Sequence, residues 1–215
     1  MSTYARHRVG VTVPAYNEEL LIEDTLQSIP EYVDRIYVID DGSTDRTAEI
    51  VQQCALTDPR IAYVRHRRNG GVGSAIYTGY KLALEENMDI VAVMAGDNQM
   101  DPKILPHLLD PIVWRKADYT KGNRLYSAEY RTGMSAWRSL GNSVLTFLTK
   151  IASGYWDIMD PQNGYTAISW KALRTLDLDT LYTGSGYCND VLVKLNVHDF
   201  RVMDVVHPAR YGREN

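Results

Sequence analysis

Strand and helix signals alternate through the first hundred residues, and that alternation leaves few folds open. Val9 to Val13 is a short β-branched run ending at Pro14, and Glu18 to Ser28 places Leu20, Leu21, Ile22, Leu26 and the following Ile29 at helical spacing. Arg35 to Ile39 reads as a strand, Asp45 opens a helix toward Thr57, and Ile61 to Val64 is a third strand. Val72 to Glu86 then reads as a helix and Asp89 to Met94 as a fourth strand. Repeated βαβ units of this length imply an α/β fold with a mostly parallel sheet and right-handed crossovers. The second half is less regular. Ala117–Asn123, Tyr165–Ser169 and Phe200–Val206 read as strands, and Trp137–Ala152 and Asp190–Val197 as helices. No repeat, low-complexity tract or linker interrupts the chain, so residues 1–215 are expected to form one domain.

Charge narrows the partners. The net charge is −4, with an isoelectric point near 5.7, which gives no footprint for nucleic acid. The one basic run, Arg65-His66-Arg67-Arg68, reads most simply as a solvated loop. Cys54 and Cys188 are far apart and lack zinc spacing, as in a reducing cytoplasm. The start, MSTYARHRVG, has no apolar signal-peptide core, and no segment reaches the ~18 apolar residues of a spanning helix. Membrane contact is then expected to be peripheral, or to lie in sequence outside this chain.

In open α/β sheets, ligands bind beyond the carboxyl ends of the strands. Three polar clusters fall there: Pro14-Ala15-Tyr16-Asn17-Glu18, Asp40-Asp41-Gly42-Ser43, and Gly96-Asp97-Asn98-Gln99. Ser43, Thr44 and Asp45 suit the start of the next helix, and Gly42 permits the turn. That account does not cover Asp40, whose carboxylate is placed to accept an N–H from a nucleotide base. If the chain after the fourth strand stays extended, Asp97 and Gln99 share a face, because side chains alternate. A carboxylate and an amide oxygen are hard donors suited to Mg²⁺ or Mn²⁺. The plainer reading is a surface turn, with Asp101-Pro102 opening a helix. Gly71-Val72-Gly73 is not a dinucleotide fingerprint, since Ile76 fills the third glycine position. Those glycines instead let a helix start approach the sheet or a phosphate.

Taken in order, PAYNE, VIDDGSTD, GVGSAIYTGY and the aspartate after the fourth strand resemble glycosyltransferase family 2, of GT-A fold. The resemblance runs on through Lys121-Gly122-Asn123-Arg124, Asp160-Pro161-Gln162-Asn163-Gly164-Tyr165 and His207-Pro208-Ala209-Arg210-Tyr211-Gly212, and so covers nearly the whole chain. Within the family it looks most like the polyprenyl-phosphate (dolichol-phosphate) sugar transferases. It implies a Rossmann-like, mostly parallel sheet flanked by helices, with a smaller mixed C-terminal part. Residues 1–100 would form the nucleotide-binding half and 101–215 the acceptor half. Pro14, Tyr16, Glu18, Asp40, Gly96, Asp97 and Arg210 would hold the nucleotide-sugar, and Asp97 and Gln99 the divalent cation. Arg124 and Arg138 match arginines that bind phosphate near the acceptor, and Asp190 falls in the region of the family's base aspartate. Asp97, Asp190, Arg124 and Arg138 are therefore the expected catalytic set.

Two departures bear on these expectations. Ala95 replaces the first acid of the Asp-x-Asp pattern at the metal site, which makes an ion lean on donor phosphates; and the Arg210 flap runs only as far as Asn215. The implied reaction is a one-step inverting displacement at the sugar's anomeric carbon, at the cytoplasmic face of a membrane, in glycan biosynthesis. A polyprenyl phosphate is already ionised and needs little base help, whereas a hydroxyl acceptor would call on Asp190. Arg138 also reads as a residue that merely solvates its helix. The apolar positions Leu140 to Ile151 read first as core packing and second as a membrane-facing surface, and Trp114, Trp137 and Trp156 fit either. A family 2 transferase acting on a hydroxyl is the alternative. A pyrophosphorylase would need a basic, glycine-rich first loop, which PAYNEE is not. A non-catalytic binding module would bind the nucleotide sugar without turnover.

Overall fold

The computed structural model describes residues 4–124, 150–151 and 153–207. The expected Trp137–Ala152 helix, Arg138, Trp137 and the Arg210 flap lie outside the described residues, except for Lys150 and Ile151.

Seven strands make one sheet: β1 (Val9–Ala15), β2 (Arg35–Asp40), β3 (Ile61–Arg65), β4 (Ile90–Val93), β5 (Tyr119–Asn123), β6 (Thr166–Ser169) and β7 (Val202–Val206). Their order is β3-β2-β1-β4-β6-β5-β7. β3, β2, β1 and β4 run parallel, as do β5 and β7; β6 lies antiparallel between β4 and β5. The mostly parallel α/β sheet read from the sequence is therefore present, with its mixed part toward the C-terminus.

Helices cover both faces: α1 (Ile22–Ser28), α2 (Thr47–Thr57), α3 (Val72–Glu85), α4 (Leu105–Val113), α5 (Trp170–Thr175) and α6 (Tyr187–Val197). Strand alternation divides the core. Tyr37, Ile39, Val91 and Val93 point into one layer with α3, α5 and α6, while Ile36, Val38, Ile90 and Ala92 point into the other with α1, α2 and α4. β1 puts Val9, Val11 and Val13 into the second layer and turns Gly10 and Thr12 toward α3. The helix closes tightly there. A Cβ on Gly79 would lie 2.3 Å from Thr12 Cγ2, so glycine is required by the approach of backbone to strand.

Several boundaries move from the sequence expectation for identifiable reasons. β1 runs past Pro14 to Ala15, because β4 pairs only as far as Thr12↔Val93 and the missing proline N–H interrupts no bond on that side. The first helix begins at Ile22 rather than Glu18, since residues 18–21 form a turn closed on the Glu18 carbonyl. The second begins at Thr47, whose N–H and hydroxyl both go to Asp45 Oδ1. Asp101 accepts the Lys103 N–H and starts a short 3-10 turn leading into α4. No helix among the described residues is long and apolar enough to cross a membrane.

Candidate active site

The loops after β1 and β2 are stitched together by side chains. Asn17, at φ +56°, accepts the Thr44 N–H at 2.8 Å and gives its own N–H to Ser43 Oγ at 3.0 Å. The Glu18 and Glu19 N–H groups reach Thr47 Oγ1 and Asp45 Oδ2, at 2.8 and 3.1 Å. Ser43, Thr44 and Asp45, read as helix-start residues, therefore also fix the neighbouring PAYNE loop, together with Thr47. Tyr16, at the tip of that loop, is exposed, whereas Pro14 is buried beneath it.

The β4 loop joins the same edge. Gly96 donates its N–H to the Pro14 carbonyl at 3.1 Å, and its own carbonyl accepts the Thr25 hydroxyl at 3.0 Å. This seats Asp97 beside Glu18. The carboxyl of Glu18 is pushed up to about 7, first by burial and then by the negative charges of Asp97 and Asp45. The geometry of Asp97 and Gln99 differs from the extended form assumed from sequence. β4 ends at Val93, Asn98 is left-handed at φ +56°, and Asp97 Oδ1 accepts the Gln99 N–H at 3.0 Å, so these residues form a turn.

Asp40 closes β2 and is fully buried. Its Oδ1 accepts the Ser43 N–H at 2.8 Å; its Oδ2 accepts the Tyr63 hydroxyl at 3.0 Å and pairs with Arg65 Nε at 3.3 Å. Asp41 is as deeply set. It accepts His66 Nδ1 at 2.6 Å and the N–H groups of Gly70 and Gly71, so β2 directly anchors the turn into α3. The basic run read as a solvated loop is thus divided: Arg65 and His66 bind the two aspartates, while Arg67 and Arg68 are exposed. The glycines at the start of α3 also have a different use from the one expected. They admit the backbone of Thr183, whose carbonyl accepts the Ser74 N–H at 3.3 Å and would stand 2.7 Å from a Cβ on Gly71 or Gly73.

A second polar cluster sits at the ends of β5 and β7. Arg124 is held by the buried carboxylate of Asp160, through its backbone N–H at 3.2 Å and Nε at 3.1 Å. Lys121 is fully buried, with Nζ on the Asn163 carbonyl. Asp204 accepts Asn123 Nδ2 and the Met159 N–H, both at 2.8 Å, while its Oδ1 is buried with no hydrogen-bond partner among the described residues. Burial pushes the Asp204 carboxyl up to about 6. Asn163 links this cluster to buried His207 at 3.2 Å. Tyr165 donates to the Asp101 carbonyl at 3.1 Å, which ties the cluster to the chain just beyond Gln99. Asp190, in the first turn of α6, accepts the Tyr182 N–H at 2.7 Å and so holds the segment that covers the start of α3.

The donor set at the β4 loop is oxygen only, and the repulsion between Glu18 and Asp97 is of the kind a divalent cation relieves. Among the described residues no three His, Cys, Asp or Glu side chains gather as a self-sufficient metal cage. Sequence reading missed Asn17, Tyr63, Arg65, His66 and Asp160 as site-builders. Asn17 lay in the PAYNE cluster, Asp160 opened the DPQNGY motif, and Arg65 and His66 lay in the basic run, whose reading as a loop obscured them.

A family model described as glycosyl transferase family 2 matches residues 11–177. The UDP-N-acetylglucosamine–dolichyl-phosphate N-acetylglucosaminyltransferase of Methanococcus voltae is 28% identical over 215 residues, covering 92% of this chain and 85% of the relative. The polyprenol monophosphomannose synthase of Mycolicibacterium smegmatis is 30% identical over 191 residues, covering 84% of this chain and 68% of the relative. Among solved structures, glucosyl-3-phosphoglycerate synthase of Mycobacterium tuberculosis, with Mn²⁺, UDP and phosphoglyceric acid, matches with a TM-score of 0.74 at 21% identity, covering 98% of this chain and 72% of that one. That likeness concerns the fold. With the family model spanning most of the chain, and with the strand-end loops converging as described, this chain belongs to glycosyltransferase family 2 and is a glycosyltransferase of GT-A fold.

Proposed function

We propose that the enzyme moves a sugar from a nucleoside diphosphate-sugar, a GDP- or UDP-sugar, to a polyprenyl or dolichyl phosphate, with inversion at the anomeric carbon. The observation that carries this reading is the meeting of the β1, β2 and β4 loops at one sheet edge, with Glu18 electrostatically coupled to Asp97. Residues 1–100 supply the donor half and residues 101–215 the acceptor half. Asp97 and Gln99 would hold Mg²⁺ or Mn²⁺, which supplies Lewis-acid stabilisation of the charge growing on the leaving diphosphate. Pro14, Tyr16, Glu18 and Gly96 shape the loop against which the nucleotide lies.

On the acceptor side, Asp160 orients Arg124 through Nε at 3.1 Å, and a planar guanidinium is suited to phosphate. Arg138 and Arg210 are assigned to phosphate binding on the resemblance alone. A phosphate monoester arrives ionised, so the chemistry needs orientation more than proton removal. Relatives named for dolichyl- and polyprenyl-phosphate acceptors support the choice of acceptor. Exposed Trp114 and Trp156 suit peripheral contact with the cytoplasmic face of a membrane, where such an acceptor is embedded.

The test pairs donor and acceptor. A panel of nucleotide sugars with Mn²⁺ should give one selective rise in Tm, lost in Asp97→Ala, and that donor should then glycosylate a short-chain polyprenyl phosphate. Transfer to hydroxyl acceptors with none to polyprenyl phosphate would refute the acceptor assignment. A thermal shift retained in Asp97→Ala would refute the metal site.

A further inference from the structure

The arginine assigned to the acceptor phosphate and the carboxylate that orients it stand on unlike supports. Arg124 follows directly on β5, where Asn123 pairs with Val206 and its carbonyl accepts the His207 N–H at 3.1 Å. Asp160 lies in residues 154–165, a stretch with neither helix nor strand. It makes a local turn, its carbonyl accepting the Asn163 N–H at 3.2 Å. Lys121 fastens the far side of that turn to β5, through its Nζ on the Asn163 carbonyl. Asp204 fastens the near side. The β5–β7 register places Asp204 beside Lys121, and its Oδ2 accepts two N–H groups at 2.8 Å, from the Asn123 amide and the Met159 backbone. One carboxylate oxygen thus joins the residue just before Arg124 to the residue just before Asp160.

As a packing group, Asp204 is a poor choice. Its Oδ1 is buried with no hydrogen-bond partner among the described residues, and burial pushes the carboxyl up to about 6. Neighbouring Lys121 gives its Nζ to the Asn163 carbonyl. An acid so placed costs stability that a packed apolar side chain of similar volume would not. An apolar side chain could not, however, hold Asn123 and Met159 at one point. We propose that Asp204 is a positioning residue for acceptor binding: by clamping Asn123 and Met159 on one oxygen, it keeps Asp160 against Arg124 and presets the guanidinium that receives the acceptor phosphate. About a third of the Arg124 side chain is exposed while Asp160 is buried, so the fork is accessible and its holder is not. A fork that must be ordered during binding loses affinity to that ordering. Asp204 itself touches no substrate. This inference rests on the assignment of Arg124 to the acceptor phosphate.

Steady-state kinetics with a short-chain polyprenyl phosphate and the nucleotide sugar selected by thermal shift test it. The variants are Asp204→Leu, Asp204→Asn, Arg124→Gln and the double variant of Asp204→Leu with Arg124→Gln. Asp204→Leu should raise the acceptor KM about tenfold or more, with the donor KM within about twofold of wild type. Asp204→Asn keeps an oxygen for both N–H groups and should stay within about threefold of wild type. Arg124→Gln should also raise the acceptor KM. Adding it to Asp204→Leu should bring no more than about threefold further, because both changes act on one fork. Should Asp204→Leu fail to fold, Asn123→Ala, which removes the amide that orients the clamp, takes its place in the same cycle. Full multiplication of the two effects overturns the positioning role alone. So does an acceptor KM that the clamp variant leaves unmoved, a donor KM that rises as much, or an Asp204→Asn as impaired as Asp204→Leu. An acceptor KM unchanged in Arg124→Gln overturns the phosphate assignment, and this inference with it.

Discussion

Adding one methyl group at Gly79 should loosen the enzyme at the point where helix meets strand. The new Cβ would lie 2.3 Å from Thr12 Cγ2, 2.6 Å from Thr12 Oγ1 and 3.0 Å from Thr12 Cβ. Both the γ atoms and the Cβ are in the way, and Thr12 is fully buried in a central strand, so rotation about its side chain does not clear the clash. α3 must shift away from β1. Overpacking of this kind costs about 1–3 kcal/mol, while alanine in place of glycine inside a helix returns about 1 kcal/mol. The net loss for Gly79→Ala is therefore about 0–2 kcal/mol, or up to roughly 8 °C in Tm for a chain of this size. Thermal unfolding of Gly79→Ala, Thr12→Ala and the double variant measures it. Thr12 Oγ1 has no hydrogen-bond partner among the described residues, so Thr12→Ala removes the two γ atoms without breaking a bond and leaves only the 3.0 Å contact with Cβ. The double variant should recover most of the loss, with a coupling of about 1 kcal/mol or more. The donor KM should rise in Gly79→Ala, because Gly70 and Gly71, which lead into α3, are tied to Asp41. A stabilised single variant, or additive effects of the two substitutions, would refute the close-packing argument.

Asp204 makes a prediction about pH. Its carboxyl is raised from an ordinary value of 3.8 to about 6 in the folded chain, first by burial, so the folded state holds this proton more tightly than the unfolded chain does. The stability it contributes is fully present below about pH 3.8 and is lost as pH rises through about 6. Tm measured from pH 4 to 7.5 should show Asp204→Asn gaining on wild type by about 1–2 kcal/mol over that window, discounted for partial exposure; parallel curves would remove Asp204 as the source. Asp190→Asn tests a different point, because the amide oxygen still accepts the Tyr182 N–H and the loop stays in place. The substitution should impair transfer to a polyprenyl phosphate while leaving it measurable, and should abolish any transfer to a hydroxyl. Activity within about twofold of wild type on either acceptor would exclude Asp190 from the chemistry.

The sheet was legible because its signal is local and repeated. Buried parallel strands such as Ile36–Ile39 and Ile90–Val93 read as apolar runs without knowledge of their neighbours. Helix starts were less legible, since residues 18–21 and 45–46 satisfy helical spacing but are drawn into hydrogen bonds with the adjacent loop. Strand order was legible only in the first half. β6 inserts between β4 and β5 through a pairing made across some seventy residues of chain, which no local pattern encodes.

The site shows the same division more sharply. A carboxylate in sequence announces charge but not the direction it faces. Asp40, Asp41 and Asp160 are all buried, and each spends its oxygens on a basic side chain and a backbone N–H: Arg65 with Ser43, His66 with Gly70 and Gly71, Arg124 with its own amide. Each carboxylate–side-chain pair crosses a gap in the chain too long for spacing rules to predict. Burying such acids is costly unless they are fully paired, and full pairing fixes loops that would otherwise move. Of these three only Asp40 read as a ligand in the sequence, and its oxygens go instead to Arg65, Tyr63 and the Ser43 N–H. In the proposed donor site the carboxylates of Glu18 and Asp97 still lie side by side, so a diphosphate would need a bound divalent cation between it and them to escape their repulsion.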